Sequence, residues 1–238
     1  MTRTDTWPDP TRTDSGLILT SIWRVGTTER QQAVVAAIVE AYADRPGVDG
    51  LLSYSVFVGT DGDTVRHYTL WRDEDAYQAF FADGRQQRVD RIDTAVPGIE
   101  RLDLTRYRLY RGQRVDPAPR PGALVAVQVQ TPDEVTARSW VDAVLVALDA
   151  DRASADGPPE GGIGGFFHIS EDGTRVLNFA EWSSVQAHAD ALAANGGSVS
   201  RGPLWDRVRA FPGVRQVGVD RFHLAATFEP TDPADGVG

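Results

Sequence analysis

The sequence predicts an α+β protein made of two tandem β-α-β-β-α-β units, on three observations. A hairpin signature occurs twice: Asp61-Gly62 precedes VRHYTLW at 65–71, and Asp172-Gly173 precedes VLNFAEW at 176–182. The matches keep their order beyond the hairpin. DRIDTAVPGI (90–99) aligns with DRVRAFPGV (206–214) after one deletion, and Arg106-Tyr107 aligns with Arg221-Phe222. Finally, short branched-apolar runs alternate with segments of helical periodicity in the same order in each half.

Taken in order, LILTSIWRV (17–25) is rich in branched apolar residues and reads as a strand. Thr28 with Gln31 reads as a capping box ahead of the helical run QQAVVAAIVEAYA. LLSYSVFV (51–58) and TVRHYTLW (64–71) flank an Asp-Gly hairpin turn. DEDAYQAFFADG (73–84) reads as a helix ending at Gly84, followed by a second helical segment up to Pro97-Gly98. ERLDLTRYRLY (100–110) alternates and closes the first copy as a strand.

The second copy repeats this with ALVAVQVQ (123–130), a helix capped by Thr131-Pro132, the GGFFHIS and RVLNFAEW hairpin, the helix SSVQAHADALAA and the strand VRQVGVDRFHLAA. The expected layout is a disordered arm at 1–15, domain one at 16–111, a proline-rich linker at 112–122, domain two at 123–228 and a disordered tail at 229–238. Residues 151–162 are expected to be a flexible loop. Such units are ferredoxin-like, with helices on one face of the sheet. The other face needs a cover, which the sibling copy can supply by packing sheet to sheet.

Composition narrows the chemistry. The chain has 238 residues and 41% hydrophobic content, enough for two cored domains. Its formal net charge of −10 argues against a generic nucleic-acid or anionic-membrane surface. There is no cysteine, so disulfides, thiolate nucleophiles and cysteine-based metal sites are excluded. All 24 basic residues are arginine, which removes Schiff-base lysine chemistry and a P-loop. No G-x-G-x-x-G or G-x-S-x-G pattern occurs. No signal peptide or apolar run of about 18 residues is present, so a cytoplasmic protein is expected.

The two hairpins with N/H-x-x-x-W, each followed by a helix and a Pro-Gly before the last strand, resemble the antibiotic biosynthesis monooxygenase family. The resemblance covers about residues 16–111 and 122–228. It implies a dimeric α/β-barrel fold built within one chain, and cofactor-free oxidation of aromatic polyketides to quinones with O2. It places the family's Asn and Trp on Asn178 and Trp182, with Arg201 or Arg207 as the arginine. In the first copy the same positions fall on His67, Trp71 and Arg91, with histidine replacing asparagine.

Strand alternation puts Asn178, Ala180 and Trp182 on one face, with ends about 13 Å apart. The second half is therefore expected to hold the working pocket. There Asn178 and Trp182 would donate hydrogen bonds to an enolate while an arginine anchors an oxyanion or carboxylate. His67 is the candidate base of the first copy. Tyr54, Tyr68, Phe166 and His168 are read as core or pocket lining. The bland alternatives are that both tryptophans are core and that His67 only packs. No histidine pair has ligand spacing, so no metal site is expected, and a hydrophobic aromatic substrate with O2 is the expected partner. A polyketide cyclase or isomerase, or a non-catalytic small-molecule binder, stands beside the oxygenase reading.

Overall fold

The computed structural model describes residues 1–43, 47–154 and 157–231. Two compact units emerge: one of Met1–Tyr107 with the chain from His223 onward, the other of Arg108–Phe222.

The first unit holds β1 (Thr2–Thr4), β2 (Leu17–Arg24), α1 (Thr28–Tyr42), β3 (Leu51–Gly59), β4 (Thr64–Trp71), α2 (Glu74–Ala79), α3 (Arg85–Ala95) and most of β5 (Glu100–Arg114). The second holds β6 (Ala123–Gln130), α4 (Glu134–Ala153), β7 (Gly162–Ser170), β8 (Arg175–Trp182), α5 (Val185–Ala194), α6 (Pro203–Arg209) and the start of β9 (Arg215–Glu229). Strand order is β5-β2-β4-β3 in the first unit and β9-β6-β8-β7 in the second, the same ferredoxin-like arrangement.

Backbone detail carries the repeat to atomic level. Gly16 donates to the carbonyl of Trp71 at 3.0 Å, and Gly122 to that of Trp182 at 2.9 Å. A Cβ on Gly16 would lie 2.6 Å from the Arg72 carbonyl oxygen, and one on Gly122 would collide with that of Ser183. Gly62 and Gly173 turn the two hairpins at φ of 74° and 71°, the left-handed region where glycine costs least.

Several expectations are corrected. The boundary is not the 112–122 linker. β5 and β9 are each 15 residues long, so their distal ends belong to the other unit, and the division falls after Tyr107 and Phe222. The 1–15 arm is not disordered. β1 pairs with β9, Met1 is buried, and Trp7 stacks edge-on against Phe57 at 5.4 Å. Residues 151–153 close α4 instead of opening a loop, and 155–156 lie outside the described residues. Of the expected tail, Glu229 ends β9, and 232–238 lie outside the described residues.

Helix α1 is capped by Thr27, one residue before the expected cap. Gln31 turns inward and donates to the carbonyls of Gly59 (3.0 Å) and Thr64 (2.8 Å), tying the helix to the hairpin. The cap of α4 is Asp133, while the Thr131 hydroxyl donates to Gly173 and supports the second hairpin. Gly84 does not end a helix. A π-helical turn, Phe80–Gly84, joins α2 to α3 without a break. Among the described residues no helix is long and apolar enough to cross a membrane.

The two units bury different charges: Arg66 in the first, where the second has Leu177, and Glu181 in the second. Glu181, fully buried, receives two hydrogen bonds from Arg114, at 2.7 and 2.5 Å, where the first unit has Leu70. Removing one member of a buried pair strands the other, which costs about 3–5 kcal/mol. Arg114→Met is expected to lower unfolding free energy by about that amount in urea titrations. A loss below about 1 kcal/mol would show the pair to be dispensable.

Candidate functional site

A cavity of about 140 Å³ opens in the first unit between the sheet and α1–α3. Strand alternation builds it. His67, Thr69 and Trp71 of β4 turn to the helix side, and the register pairs Tyr54 with Thr69 and Val56 with His67, so Tyr54 shares that face. Tyr42 of α1 and Tyr77 of α2 add aromatic walls, and β2 contributes Trp23. The rim is cationic: Arg85 and Arg88 of α3 and Arg101 of β5 line the cavity with a single carboxylate, Asp103.

Each polar group has a definable state. The Tyr54 hydroxyl lies 2.7 Å from His67 Nδ1. Burial holds Tyr54 well above its usual 10, with a smaller push from Tyr42, so it stays a phenol. The His67 ring lies 4.1 Å from the Trp23 ring. Burial first, then the charges of Arg101 and Arg66, press its pKa down to about 3, so the ring is neutral at physiological pH. His67 Nε2 is buried and has no hydrogen-bond partner among the described residues.

The Trp71 indole N–H is engaged by Thr69 Oγ1 at 2.9 Å, and its ring meets Tyr77 edge-on at 5.4 Å. Trp71 is therefore a wall whose donor is already used. The Arg88 guanidinium sits over Tyr42 at 5.2 Å and donates to the Gly84 carbonyl at 2.9 Å, while Arg101 covers Trp23 at 4.8 Å and pairs with Asp93 at 2.8 Å.

Other expected site residues lie elsewhere. Arg91 is exposed in a groove between α1 and α3 beside Ala37 and Glu40 and does not line the cavity. Tyr68 is adjacent to His67 in β4 and so faces the opposite side, paired with Ser55. Phe166 and His168 likewise flank Phe167, which is the residue that pairs with Asn178. Phe166 packs under the Arg114 guanidinium at 4.9 Å. His168 faces the Leu177 carbonyl at 3.3 Å and is held down to about 4 by burial.

In the second unit Trp182 packs with Ala123, Val125, Ala180 and Ala191, the core role named as its bland alternative. Asn178 Oδ1 is buried without a hydrogen-bond partner among the described residues. Arg201 and Arg207 are both exposed, and Arg201 donates to the Ala194 carbonyl at 3.3 Å. The arginine beside Trp182 is instead Arg221, whose Nε donates to His188 Nδ1 at 2.8 Å, and His188 meets the Trp182 ring edge-on at 4.8 Å. The first-unit counterpart of this trio is Trp71, Tyr77 and Arg106, with Arg106 over Tyr77 at 5.5 Å.

Fold and site together define a ferredoxin-like α+β protein with an aromatic, cationic cavity in its first unit. Residues 20–91, within the first unit, match the family model described as antibiotic biosynthesis monooxygenase. A solved structure described as an anthrone oxidase-like protein matches with a TM-score of 0.65 at 15% identity, covering 91% of this chain and 94% of that one. A protein from Lactobacillus acidophilus NCFM, described provisionally as a monooxygenase, matches at 0.52 and 10% identity over 88% and 93% of the two chains. A heme-degrading enzyme from Listeria monocytogenes matches at 0.43 and 10% identity over 88% and 99% of the two chains. No curated protein sequence matches the chain.

Three buried histidines make stability depend on pH. His67 sits at about 3, and His168 and His188 at about 4, all lowered chiefly by burial. Between those values and the unfolded value of 6.5, the unfolded chain binds more protons than the folded one. Stability is thus fully present above 6.5 and is lost as pH falls, by up to about 2 kcal/mol per histidine at pH 5. The melting temperature is expected to be level from pH 9 to 7 and to drop between 6.5 and 4.5. A level profile across that window would contradict the buried neutral state.

Proposed function

We propose that the chain is a cofactor-free monooxygenase that oxidises an anthrone- or phenol-type aromatic substrate to a quinone with O2, in the first-unit cavity. The observation that carries this reading is the cavity itself, an aromatic-walled space whose lining residues hold two buried polar atoms without a hydrogen-bond partner among the described residues, His67 Nε2 and Arg88 Nε. An anthrone is chosen because the similar solved protein is described as anthrone oxidase-like.

In this chemistry the ring methylene loses a proton to bulk water before the substrate binds, and the enolate oxygen takes the negative charge. Fixed donors and cations stabilise that charge where it develops, each donor contributing about 2.7–4 kcal/mol. The electron-rich carbon reduces O2 by one electron, and the resulting pair collapses to a carbon-bound hydroperoxide. Loss of the remaining C–H proton with cleavage of the O–O bond gives the quinone carbonyl and water. One oxygen atom enters the product and the other leaves as water.

The cavity supplies aromatic faces for the rings, an uncharged imidazole for the oxygen, and the Arg88 and Arg101 charges at the rim.

Purified protein given a dihydroxyanthrone is expected to consume O2 and form anthraquinone one-to-one, with no product under nitrogen. His67→Leu is expected to lower kcat by about 10²–10³-fold, while Asn178→Ala, which does not line the cavity, leaves turnover near that of the parent. Equal turnover under nitrogen would eliminate the oxygenase, and loss of activity on Asn178→Ala alone would move the site to the second unit.

A further inference from the structure

We propose that Tyr54 is a positioning residue that holds His67 as the Nε2–H tautomer, so that this cavity presents a hydrogen-bond donor, and not a base, to an aromatic oxyanion. The inference rests on the cavity being the ligand site, but not on any oxygen chemistry taking place there.

Hydrogen-bond accounting assigns the tautomer. The Tyr54 hydroxyl and His67 Nδ1 are 2.7 Å apart, and both residues are buried. If Tyr54 donates, its proton and the Nδ1 lone pair satisfy each other, and the Nε2–H and the phenol oxygen's own lone pair are left over. If Nδ1 carried the proton and donated, the phenol proton and the Nε2 lone pair would both lack partners. Each arrangement leaves one donor and one acceptor over, but the idle acceptor is the weakly basic phenol oxygen in the first and the far more basic imidazole nitrogen in the second, so the first arrangement is favoured. His67 Nε2 is then the donor left over, on a residue that lines the cavity.

The charges around the ring point the same way. Sharing the cavity with His67 are Tyr42 from α1, Tyr54 from β3, Arg85 and Arg88 from α3, and Arg101 and Asp103 from β5, while Arg66, next to it in β4 and on the other face of the strand, adds its charge. Arginines outnumber the single carboxylate, in a chain whose net charge is −10. An imidazolium would be repelled here, whereas a ligand oxyanion would be attracted. The site therefore selects ligands that bind already ionised, their proton leaving to bulk water.

The second copy supports the dependence of one side chain on the other. Where the first unit pairs Tyr54 in β3 with His67 in β4, the second has Gly165 and Asn178, with Asn178 Oδ1 lying 3.3 Å from where a Gly165 Cβ would stand. An amide needs no partner to place its N–H, since its donor and acceptor are fixed on separate atoms. An imidazole does, because its proton can sit on either nitrogen.

The test is nitrogen NMR of the full chain labelled with ¹⁵N-histidine, the His67 signals being identified by their loss in His67→Gln. Nε2 is expected to be protonated and Nδ1 bare from pH 5 to 8, with no titration in that range. A protonated Nδ1, or a midpoint near 6.5, would overturn the proposal. Tyr54→Phe is expected to shift His67 toward a tautomer mixture or to start it titrating, and an unchanged His67 pattern in that variant would remove Tyr54 from the role. Should that variant fail to fold, the bridging proton in the parent decides. One-bond coupling to nitrogen would place it on Nδ1 and refute the assignment, and its absence would place it on the Tyr54 oxygen. Failure of anthrone oxidation would leave each of these readouts intact.

Discussion

The register between β3 and β4 is the constraint from which the site follows. With Tyr54 opposite Thr69 and Val56 opposite His67, the side chains of His67, Thr69 and Trp71 all meet the helices, and Tyr68 and Leu70 are sent to the other face. A slip of one residue would exchange the two sets and leave a tyrosine and a leucine where the imidazole and indole stand. The Asp61-Gly62 turn, with Gly62 at φ of 74°, and the Gln31 side chain bridging Gly59 and Thr64 both pin that register at the hairpin tip. At the other end Gly16 closes on the Trp71 carbonyl. The hairpin is thus fastened at both ends by groups that only one alignment can satisfy.

Two copies of one scaffold have been filled differently. The fasteners are shared: Gly16 with Gly122, Gly62 with Gly173, and Trp71 with Trp182 at the end of the strand. The filling is not. Tyr54, His67 and Tyr77 line a cavity in the first unit, and Gly165, Asn178 and His188 replace them in the second. Around Trp182 the space is taken by Ala180, Ala191 and neighbouring valines. Leu70 of the first unit becomes the buried Glu181 of the second, held by Arg114. Close packing explains why such changes come in groups, since a cavity or a charge in one copy forces compensation among its neighbours.

Much of this was legible in the sequence, because strand period and turn chemistry are local. Both hairpins, the repeat and the helices other than α6 follow from alternation, helical periodicity, Asp-Gly turns and aligned tryptophans. The cap of α1 was misplaced by one residue because Thr27 and Thr28 are chemically equivalent at that point, and only tertiary contacts draw Gln31 inward. The N-terminal strand was missed because TRT has no apolar alternation and is held by pairing with β9, far away in sequence. The site arginines were missed for a similar reason. With every basic residue an arginine, nothing local separates Arg88 and Arg101 from Arg91, and which one meets the cavity is decided by helix phase and by the arrival of β5. Phe166 and His168 were placed by proximity, when parity in the strand sends them to the opposite face from Asn178.

Charge and shape converge on the first unit: a neutral imidazole, aromatic walls and a cationic rim within a chain of net charge −10. The most direct test of that placement uses the six tryptophans as reporters. Indole N–H signals are followed by NMR while a dihydroxyanthrone is added under nitrogen, so that binding is seen without turnover. The account predicts that Trp23 and Trp71 shift with the ligand while Trp140, Trp182 and Trp205 stay in place. Shifts centred on Trp182, with Trp23 and Trp71 unmoved, would contradict it.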